Sequence, residues 1–543
     1  MYYQIIKDEV LKMAFSPNDY NQFSINDSTF ALTERERKFL EKSWAIPFAD
    51  KIFPAINEGD FSVLYSDSAS RPNTPVNIII GALILKEWLG LTDEEIVESL
   101  MFDIRFQVAL HTTSFKEQPL SDRSLSRFRE RCTTYETMTN TDLIRNCMNS
   151  LASKITEFMG LSSKINRMDS MMIAANIKKL SRLELLYTCV ANLVKHMQKR
   201  QDTIPEFMRH YCEPEDYNRV IYHMRSTDAE TRMKTVLSDA SMLSQICGDN
   251  YDESSEYQLL LRVIREQTST KEDGSLHLKD KKDSMDSEVL LNPSDPDATF
   301  RHKAGVEHRG YVANLTESTF ENGSVITDYA YEKNIYSDSQ FLKDYLNSHD
   351  MPEDSTIVTD GAYCGERNVL LAKEQNVTLV TTNFTGRKPE DVYADFLFSK
   401  DGKSVLKCAN GHEPLTNKYD STNDRTRITM NKDICNQCPY KEQCKPKFFK
   451  SKAALEISWK TVNRAKQLRY MKSDEFKEYS HYRNGVESLP SVLRRRYQVD
   501  KMPVRGKQKT KLYFGFKVAA LNFGKLFNYL NSLASCTPEP EFC

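Results

Sequence analysis

Two β-rich runs that each carry an aspartate constrain the fold of this chain more than any other feature. The run Lys164-Ile-Asn-Arg-Met-Asp169-Ser-Met-Met-Ile predicts a strand with Asp169 in its middle or at its end. The run Ser355-Thr-Ile-Val-Thr-Asp360 predicts a second strand, which ends in Asp360 and a glycine turn. Open α/β sheets bind ligands outside the carboxyl ends of their strands. Two acids so far apart in sequence can meet only if the fold brings these strands together.

A third acid lies between two arginines in the C-terminal part of the chain. Arg483 precedes Glu487 by four residues and Arg494 follows it by seven, a spacing that places all three on one face of a helix. Taken alone, the pattern favours a solvated ion pair, which contributes little to stability. With Asp169 and Asp360, however, Glu487 completes a set of three carboxylates. Such a set suits Mg²⁺, which takes oxygen ligands and leaves room for water and substrate phosphates.

In order and setting, the three acids resemble the DDE triad of bacterial insertion-sequence transposases with a ribonuclease-H-like catalytic core. The resemblance extends over most of the chain, from about Tyr65 to about Leu530. The segment from Arg483 to Arg494 is similar to their C-terminal signature of tyrosine, arginine, glutamate and a basic residue.

The chain departs from that signature at three points. The signature tyrosine is out of register, with Tyr479 and Tyr482 as the candidates, and Arg494 stands where a lysine is usual. Pro490 interrupts the expected helix, because proline lacks a backbone N–H and bends a helix interior. These departures affect the roles around Glu487 more than they affect the family resemblance.

The resemblance implies both a chemistry and a set of partners. Asp169, Asp360 and Glu487 are expected to be the catalytic residues and to bind two Mg²⁺ ions, while Arg483 and Arg494 position phosphate. The expected reaction is strand cleavage at the element ends, followed by strand transfer into target DNA. The partners would then be double-stranded DNA and a second copy of the chain, because two DNA ends must be joined in one complex.

The composition describes a globular protein with more than one domain. The chain has 543 residues, of which 40% are hydrophobic and 28% are charged. Its net charge is −2, so any surface that binds nucleic acid must be local. No apolar run approaches the length of a membrane span, and the start of the sequence lacks a signal-peptide core, so we expect a cytoplasmic, nucleoid-associated protein. The 12 cysteines of an intracellular chain argue against a disulfide framework.

Residues 61–150 predict a helical DNA-binding domain of the helix-turn-helix type, preceded by a loosely patterned segment at 1–60. An apolar helix covers Val76 to Leu89, and a capping box from Thr92 to Glu95 starts the next helix. A solvated arginine face on a helical bundle would explain the basic stripe of a later helix equally well, but the family resemblance favours DNA binding. The stripe consists of Arg123, Arg127 and Arg131.

The remainder predicts an α/β catalytic core, a mixed sheet flanked by helices, because strand runs are followed by strands that alternate with helices. The resemblance makes this sheet ribonuclease-H-like. The first part of the core covers 151–383 and contains a helical insertion at about 177–267 and an exposed loop at 268–298. The second part, 456–535, carries Glu487 and a basic segment.

A cysteine-rich insertion is expected at 384–455. It contains a C-x2-C-x5-C run and one distant cysteine, which together offer four thiolates for a structural, tetrahedral Zn²⁺ site. His412 is the alternative fourth ligand, and ordinary buried cysteines are the simpler reading. The four cysteines are Cys408, Cys435, Cys438 and Cys444.

The densest basic stretch follows Glu487 and is interleaved with aromatic residues. We expect it to contact the phosphates of the strand being cut, although a solvated charge run is the alternative. Its predicted DNA-binding residues are Arg494, Arg495, Arg496, Lys501, Arg505 and Lys507.

Other acids and other functions stay open at this stage. Asp295 and Asp297 are interpreted as turn residues, Asp328 as a strand-end residue and Asp338 as a helix cap. A metal-dependent nuclease on the same core, which cuts DNA without joining it, is one alternative function. A non-catalytic DNA-binding relic of a transposase is the other.

Overall fold

The computed structural model describes most of the chain. The described residues are 13–19, 26–66, 72–162, 164–222, 228–270, 276–279, 286–303, 305–320, 323–382, 388–484 and 488–536. The helices are α1 (Glu34–Glu41), α2 (Val76–Leu89), α3 (Asp93–Phe102), α4 (Ile104–Ala109), α5 (Asp122–Thr139), α6 (Leu143–Phe158), α7 (Arg182–Lys199), α8 (Asp216–Ile221), α9 (Ala229–Cys247), α10 (Ser255–Gln267), α11 (Asp338–Ser348), α12 (Glu366–Glu374), α13 (Lys432–Asn436), α14 (Lys441–Cys444), α15 (Trp459–Tyr470), α16 (Asp474–Asn484), α17 (Ser488–Arg495) and α18 (Lys507–Cys536). Within this part of the chain, no helix combines the length and apolarity that a membrane crossing needs.

The strands are mostly short and form four sheets. They are β1 (Ile165–Ala174), β2 (Thr268–Thr270), β3 (Leu276–Leu278), β4 (Thr299–Lys303), β5 (Val306–Phe320), β6 (Gly323–Lys333), β7 (Thr356–Thr359), β8 (Thr378–Thr381), β9 (Leu397–Phe398), β10 (Val405–Lys407), β11 (Thr416–Asp420), β12 (Arg425–Asn431), β13 (Lys447–Phe448) and β14 (Lys452–Ile457). Short helical turns lie at Ser28–Ala31, Ala45–Pro47, Phe48–Ile52, Phe53–Ala55, Glu58–Leu64, Glu206–Cys212, Gly248–Tyr251 and Asp391–Asp395.

A mixed sheet forms the centre of the molecule, which confirms the predicted α/β class. Its strands lie in the order β6, β5, β1, β7, β8, and β4 forms a hairpin with the start of β5. The pairs β6–β5 and β5–β1 are antiparallel, whereas β1–β7 and β7–β8 are parallel. Gly310, where β5 passes from β4 to β1, has a φ of +138°, and a Cβ there would overlap the backbone oxygen of Ile173. Glycine is therefore required at this crossing.

One hydrophobic core joins the N-terminal helices to this sheet. The C-terminal helix α18 contributes to both sides: Phe523 packs edge-on against Phe48 and Trp88, with ring centroids 5.0 and 4.9 Å apart. Residues 44–64 also belong to this core, with Trp44 and Phe53 buried, so the structure differs from the predicted boundary at residue 60. The difference has a physical reason, because this segment folds as successive short α, π and 3₁₀ turns and therefore lacks a single hydrophobic period.

The predicted helical insertion is present as α7 to α10, which have a hydrophobic core of their own. The segment 268–298 differs from the predicted exposed loop. Its start pairs as the hairpin β2–β3, and its end places Leu290 and Asp295 at 1% and 0% exposure. The apolar side chain packs into the core of the insertion, and the carboxylate accepts a hydrogen bond from Tyr311. Because the segment is polar in composition, its sequence does not indicate that these two residues are buried.

Residues 388–457 form a smaller unit, with the sheets β9–β10 and β11–β12–β14–β13. Its compact core contains Phe396, Ile428 and Met430, together with Val462 of helix α15. The chain then returns through α15 and α16 to the central sheet, where Phe476 packs against Val358 of β7.

Candidate active site at strands β1 and β7

Asp169 and Asp360 are brought together by the parallel pairing of β1 with β7. The register aligns Ile165 with Thr356 and Arg167 with Val358. Continued by two residues, the same register places Asp169 beside Asp360, on neighbouring strands that lie about 4.8 Å apart in any sheet. Both side chains are half-buried. The two predicted acids therefore meet at the edge where β7 ends.

Hydrogen bonds hold the acids and their surroundings. The Oδ1 of Asp360 accepts from the backbone N–H of Ala362 at 2.8 Å, and the Oδ1 of Asp169 accepts from the N–H of Ser170 at 3.0 Å. The Ser170 hydroxyl donates to the Oδ1 of Asp338 at 2.6 Å. Asp338 is buried at the first turn of α11, and the helix cap predicted for it is provided by Ser337 instead.

The hydroxyl of Tyr363 lies in a strongly negative electrostatic field at this site. Its side chain is fully buried, and its hydroxyl donates to Asn314 at 2.6 Å. Burial, together with the negative charges of Asp338, Asp169 and Asp360, raises the pKa of Tyr363 well above its ordinary value. Three carboxylates therefore act on one buried hydroxyl, and such a concentration of negative charge favours a cation at the open edge of the sheet.

The donor set fits a hard divalent cation only in part. Asp169 and Asp360 supply carboxylate oxygens from adjacent strands, the ligand type that Mg²⁺ prefers. Within the described ranges, no group of three His, Cys, Asp or Glu side chains is arranged to hold a metal ion. The third predicted acid, Glu487, lies outside the described residues, and so does the side chain of Arg483.

The helix that leads to Glu487 is anchored beside these acids. Arg167, two residues before Asp169 on β1, donates from Nη1 to the backbone oxygen of Tyr482 at 2.6 Å. Tyr482 lies near the end of α16, whose Phe476 packs on Val358 and Val380 of β7 and β8. The chain five residues before Glu487 is thus fixed against the strand that carries Asp169.

A buried charge network supports this anchor. The Nε of Arg167 donates to Glu317 on β5 at 2.6 Å, and Lys525 of α18 donates to the other oxygen of the same carboxylate. The side chains of Arg167 and Glu317 are only 8% and 1% exposed. Burial disfavours the ionised Glu317, but the two cations outweigh it and hold its pKa below the ordinary value. Burial also lowers the pKa of Lys525.

Two transposase family models match the chain. The model described as Transposase domain (DUF772) matches residues 36–131, and the model described as Transposase DDE domain matches residues 407–527. The chain therefore carries a transposase DDE domain and an N-terminal transposase domain of the DUF772 type. The second match includes Glu487 and the four predicted zinc ligands, but neither Asp169 nor Asp360. No curated protein and no solved structure matches the chain. A transposase DDE domain implies transposase activity in general and, with it, DNA binding.

In this transposase, several of the predicted phosphate-binding residues make contacts within the chain. Arg494 donates to the backbone oxygen of Met172 at 2.7 Å and forms an ion pair with Asp500 at 3.1 Å. These contacts tie α17 to the end of β1. Pro490 lies in α17. The kink predicted there involves the preceding turn, residues 485–487, which lie outside the described residues.

Two other predicted phosphate-binding residues of the basic segment also make contacts within the chain. Arg505 donates to the backbone oxygen of Asn176 at 2.7 Å, and Lys507 pairs with Glu332. Arg494 and Arg505 stay exposed despite these contacts, and three further predicted cations are exposed and form no ion pair with the residues that the structure describes. They are Arg495, Arg496 and Lys501.

Helix α5 presents its predicted arginine stripe outward only in part. Arg123 and Arg127 are exposed, whereas Arg131 lies over the ring of Tyr65, 4.9 Å from its centroid. Arg129, which the sequence did not single out, is held on the inner side by Asp93 of α3. The outward surface therefore contains fewer cations than the spacing predicts.

The four cysteines predicted to bind zinc line one small cavity of about 40 Å³. Burial, reinforced by the neighbouring thiols, raises the pKa of Cys444 to about 12 and raises that of Cys435 as well. His412 does not line this cavity, although its backbone oxygen accepts from the N–H of Cys408 at 2.8 Å. The thiols are thus gathered, but the described residues do not form a metal-holding group.

Sequence reasoning missed four residues of this site: Arg167, Glu317, Asp338 and Lys525. Arg167 could have been identified from the sequence, because a cation two residues before Asp169 lies on the same side of the strand. The partners of Arg167 come from distant elements, so no local pattern identifies them. Asp338 was recognised as an acid but not as a neighbour of Asp169.

Proposed function

We propose that this transposase cuts DNA strands at insertion-sequence ends and joins them to target DNA, with Asp169, Asp360 and Glu487 as its catalytic acids. The observation that carries the proposal is the parallel register that places Asp169 beside Asp360. The anchoring of Tyr482 to β1 supports a nearby Glu487. The strand order β6, β5, β1, β7, β8, antiparallel in its first half and parallel in its second, supports a ribonuclease-H-like core.

The three acids would hold two Mg²⁺ ions. When bound, these ions would activate the attacking oxygen and stabilise the leaving oxygen of an in-line displacement at phosphorus. The protein contributes fixed geometry, because the N–H of Ala362 orients the Asp360 carboxylate. Ser170 links two further acids, since its backbone N–H donates to Asp169 and its hydroxyl donates to Asp338. A ligand oriented in advance loses less entropy on binding, which is the usual role of groups behind a metal ligand.

Exposed cations support binding of the DNA phosphates. We assign backbone contacts to Arg495, Arg496 and Lys501 after the third acid, and to Arg123 and Arg127 on α5. Each of these side chains is exposed, so it can exchange bound counterions for phosphate without breaking an internal ion pair. A pair of DNA ends would require two copies of the chain, acting in the bacterial cytoplasm at the nucleoid.

A structural Zn²⁺ ion in the cysteine-rich unit is part of the proposal. The support is that Cys408, Cys435, Cys438 and Cys444 face one cavity. Four thiolates would close a tetrahedral site, and a bound ion would lower the raised pKa values of Cys435 and Cys444 by favouring the thiolates.

A supercoiled plasmid that carries the gene's own flanking DNA tests the proposal. The wild-type protein, Asp360→Asn and the control Asp350→Asn, which alters an exposed acid outside the site, would each be incubated with Mg²⁺. We expect cut and joined products from the wild type and the control, and about 100–1000-fold less from Asp360→Asn, as for other losses of preorganised charge stabilisation.

The same plasmid assay distinguishes the proposed transposase from the alternative functions. Cutting without joined products would replace the proposal with a metal-dependent nuclease. No cutting by the wild type, with DNA binding intact, would indicate a DNA-binding relic. Full cutting by Asp360→Asn would overturn the assignment of the catalytic acids.

A further inference from the structure

A large cleft opens directly beside Asp360. It begins at Gly361, the next residue, and runs between helices α12 and α15 over the end of β8. Its volume is about 640 Å³, within the usual range for ligand sites of about 300–1000 Å³. The reaction at the two aspartates does not itself require this space, so the cleft needs a separate explanation.

The lining of the cleft is strongly cationic. Lys373 of α12 and Lys460, Arg464 and Lys466 of α15 contribute four positive charges. Of the side chains that the structure describes, no aspartate or glutamate lines it. Such a one-signed lining in a chain of net charge −2 favours an anionic ligand, and guanidinium and ammonium groups are suited to phosphate.

Two aromatic side chains of α15 complete the surface. Trp459 lines the cleft, and the turn at Gly402 packs so closely on its indole that a Cβ there would lie 3.0 Å from two ring atoms. Tyr470 lines the other end and packs edge-on against Phe476, with centroids 5.8 Å apart. Both rings are therefore held in place, as a stacking platform requires. Flat rings interleaved with cations are characteristic of surfaces that bind unpaired nucleotides.

Resting on the proposed DNA-cleaving function, we propose that this cleft binds unpaired nucleotides of a DNA strand next to the phosphate held at Asp169 and Asp360. A base stacks on Trp459, and the adjoining phosphates contact Lys460 and Arg464. A single strand enters the cleft along the cationic lining and exposes its bases to the two rings, whereas the paired bases of a duplex are already stacked on each other.

The inference can be tested without any cleavage reaction. The full-length protein is titrated, without Mg²⁺, with an oligothymidine of about 10 nucleotides, a length typical of single-strand sites. Tryptophan emission and fluorescence anisotropy of a labelled oligonucleotide are recorded. Of the 3 tryptophans in the chain, Trp44 and Trp88 belong to the N-terminal core, so quenching by a stacked base reports on Trp459.

We expect quenching in the wild type and its loss in Trp459→Leu, with affinity weakened at least about tenfold. Trp459→Phe should keep most of the affinity, because it keeps a ring. Lys460→Ala should weaken binding and reduce its salt dependence, whereas Lys418→Ala, an exposed lysine on β11, should match the wild type.

Two results would overturn the inference. One is an affinity in both Trp459→Leu and Lys460→Ala that equals the wild-type affinity. The other is a duplex competitor that displaces the oligonucleotide as strongly as a single-stranded competitor does. The plasmid assay separates this failure from failure of the proposed function. If the wild type cuts DNA but binds the oligonucleotide independently of Trp459, the inference about the cleft fails and the proposed function stands. If the wild type binds the oligonucleotide through Trp459 but never cuts DNA, the inference stands and the proposed function fails.

Discussion

The substitution Glu317→Gln removes the negative charge that lies between the buried Arg167 and Lys525, whose side chain is 21% exposed. Arg167 and Lys525 would then face each other in the interior with no carboxylate to compensate them. Loss of one partner from a buried ion pair costs about 3–5 kcal/mol, because the remaining charge stays desolvated. Glu317 is 1% exposed and neutralises two cations, so we expect the upper half of this range, about 4 kcal/mol.

Urea unfolding followed by tryptophan emission measures this cost, because Trp44 and Trp88 belong to the core that also contains α18. The effect should depend on pH. The folded-state pKa of Glu317 is lowered, so its stabilising contribution is present above the unfolded value of about 4.3 and is lost as the pH falls through the folded value. The difference between wild type and variant should therefore be full at pH 7 and shrink below about pH 4.

A matched control is Glu353→Gln, which neutralises an exposed glutamate and should leave the unfolding midpoint unchanged. If Glu317→Gln cost less than about 1 kcal/mol, the usual upper limit for an exposed pair, or if its cost did not change with pH, the network would not stabilise the sheet. In that case the network would not anchor α16 beside Asp169.

Three further predictions concern other parts of the molecule. Asp338→Asn should raise the Mg²⁺ concentration for half-maximal plasmid cutting by about 10–100-fold, the usual effect of a group behind a metal ligand; an unchanged titration would contradict the role of Ser170 as a link. The wild type should contain one Zn²⁺ per chain by elemental analysis, and Cys438→Ser should lose it; a metal-free wild type would exclude the zinc site. Arg127→Ala should weaken duplex binding and reduce the salt slope by about 1, whereas Arg129→Ala should chiefly lower the melting temperature; the reverse pattern would reject the proposed DNA-binding face of α5.

Local signals in the sequence predicted the local structure well. Helix α2 begins at Val76 and ends at Leu89 as predicted, and the Thr92–Glu95 capping box starts α3 as expected. Each of these features depends on neighbours within about four residues, which a sequence displays directly. The mixed sheet also followed from the order of strand and helix patterns.

Features that depend on long-range contacts could not be predicted in this way. Residues 44–64 lack a period, yet they lie in the main core because α18 returns to cover them. Arg494 looked like a free phosphate ligand until the fold placed the backbone of Met172 and Asp500 against it. In both cases the partner comes from a distant segment, so no local pattern identifies it.

Iron-directed cleavage of the protein backbone tests most directly whether the three acids share one metal site. Fe²⁺ would replace Mg²⁺ in the full-length protein, and ascorbate with peroxide would generate radicals that cut the chain near the bound ion. We expect cuts near Asp169, Asp360 and Glu487. Excess Mg²⁺ should suppress these cuts, and they should be absent in Asp360→Asn. Cuts near Asp169 and Asp360 with none near Glu487 would contradict the triad.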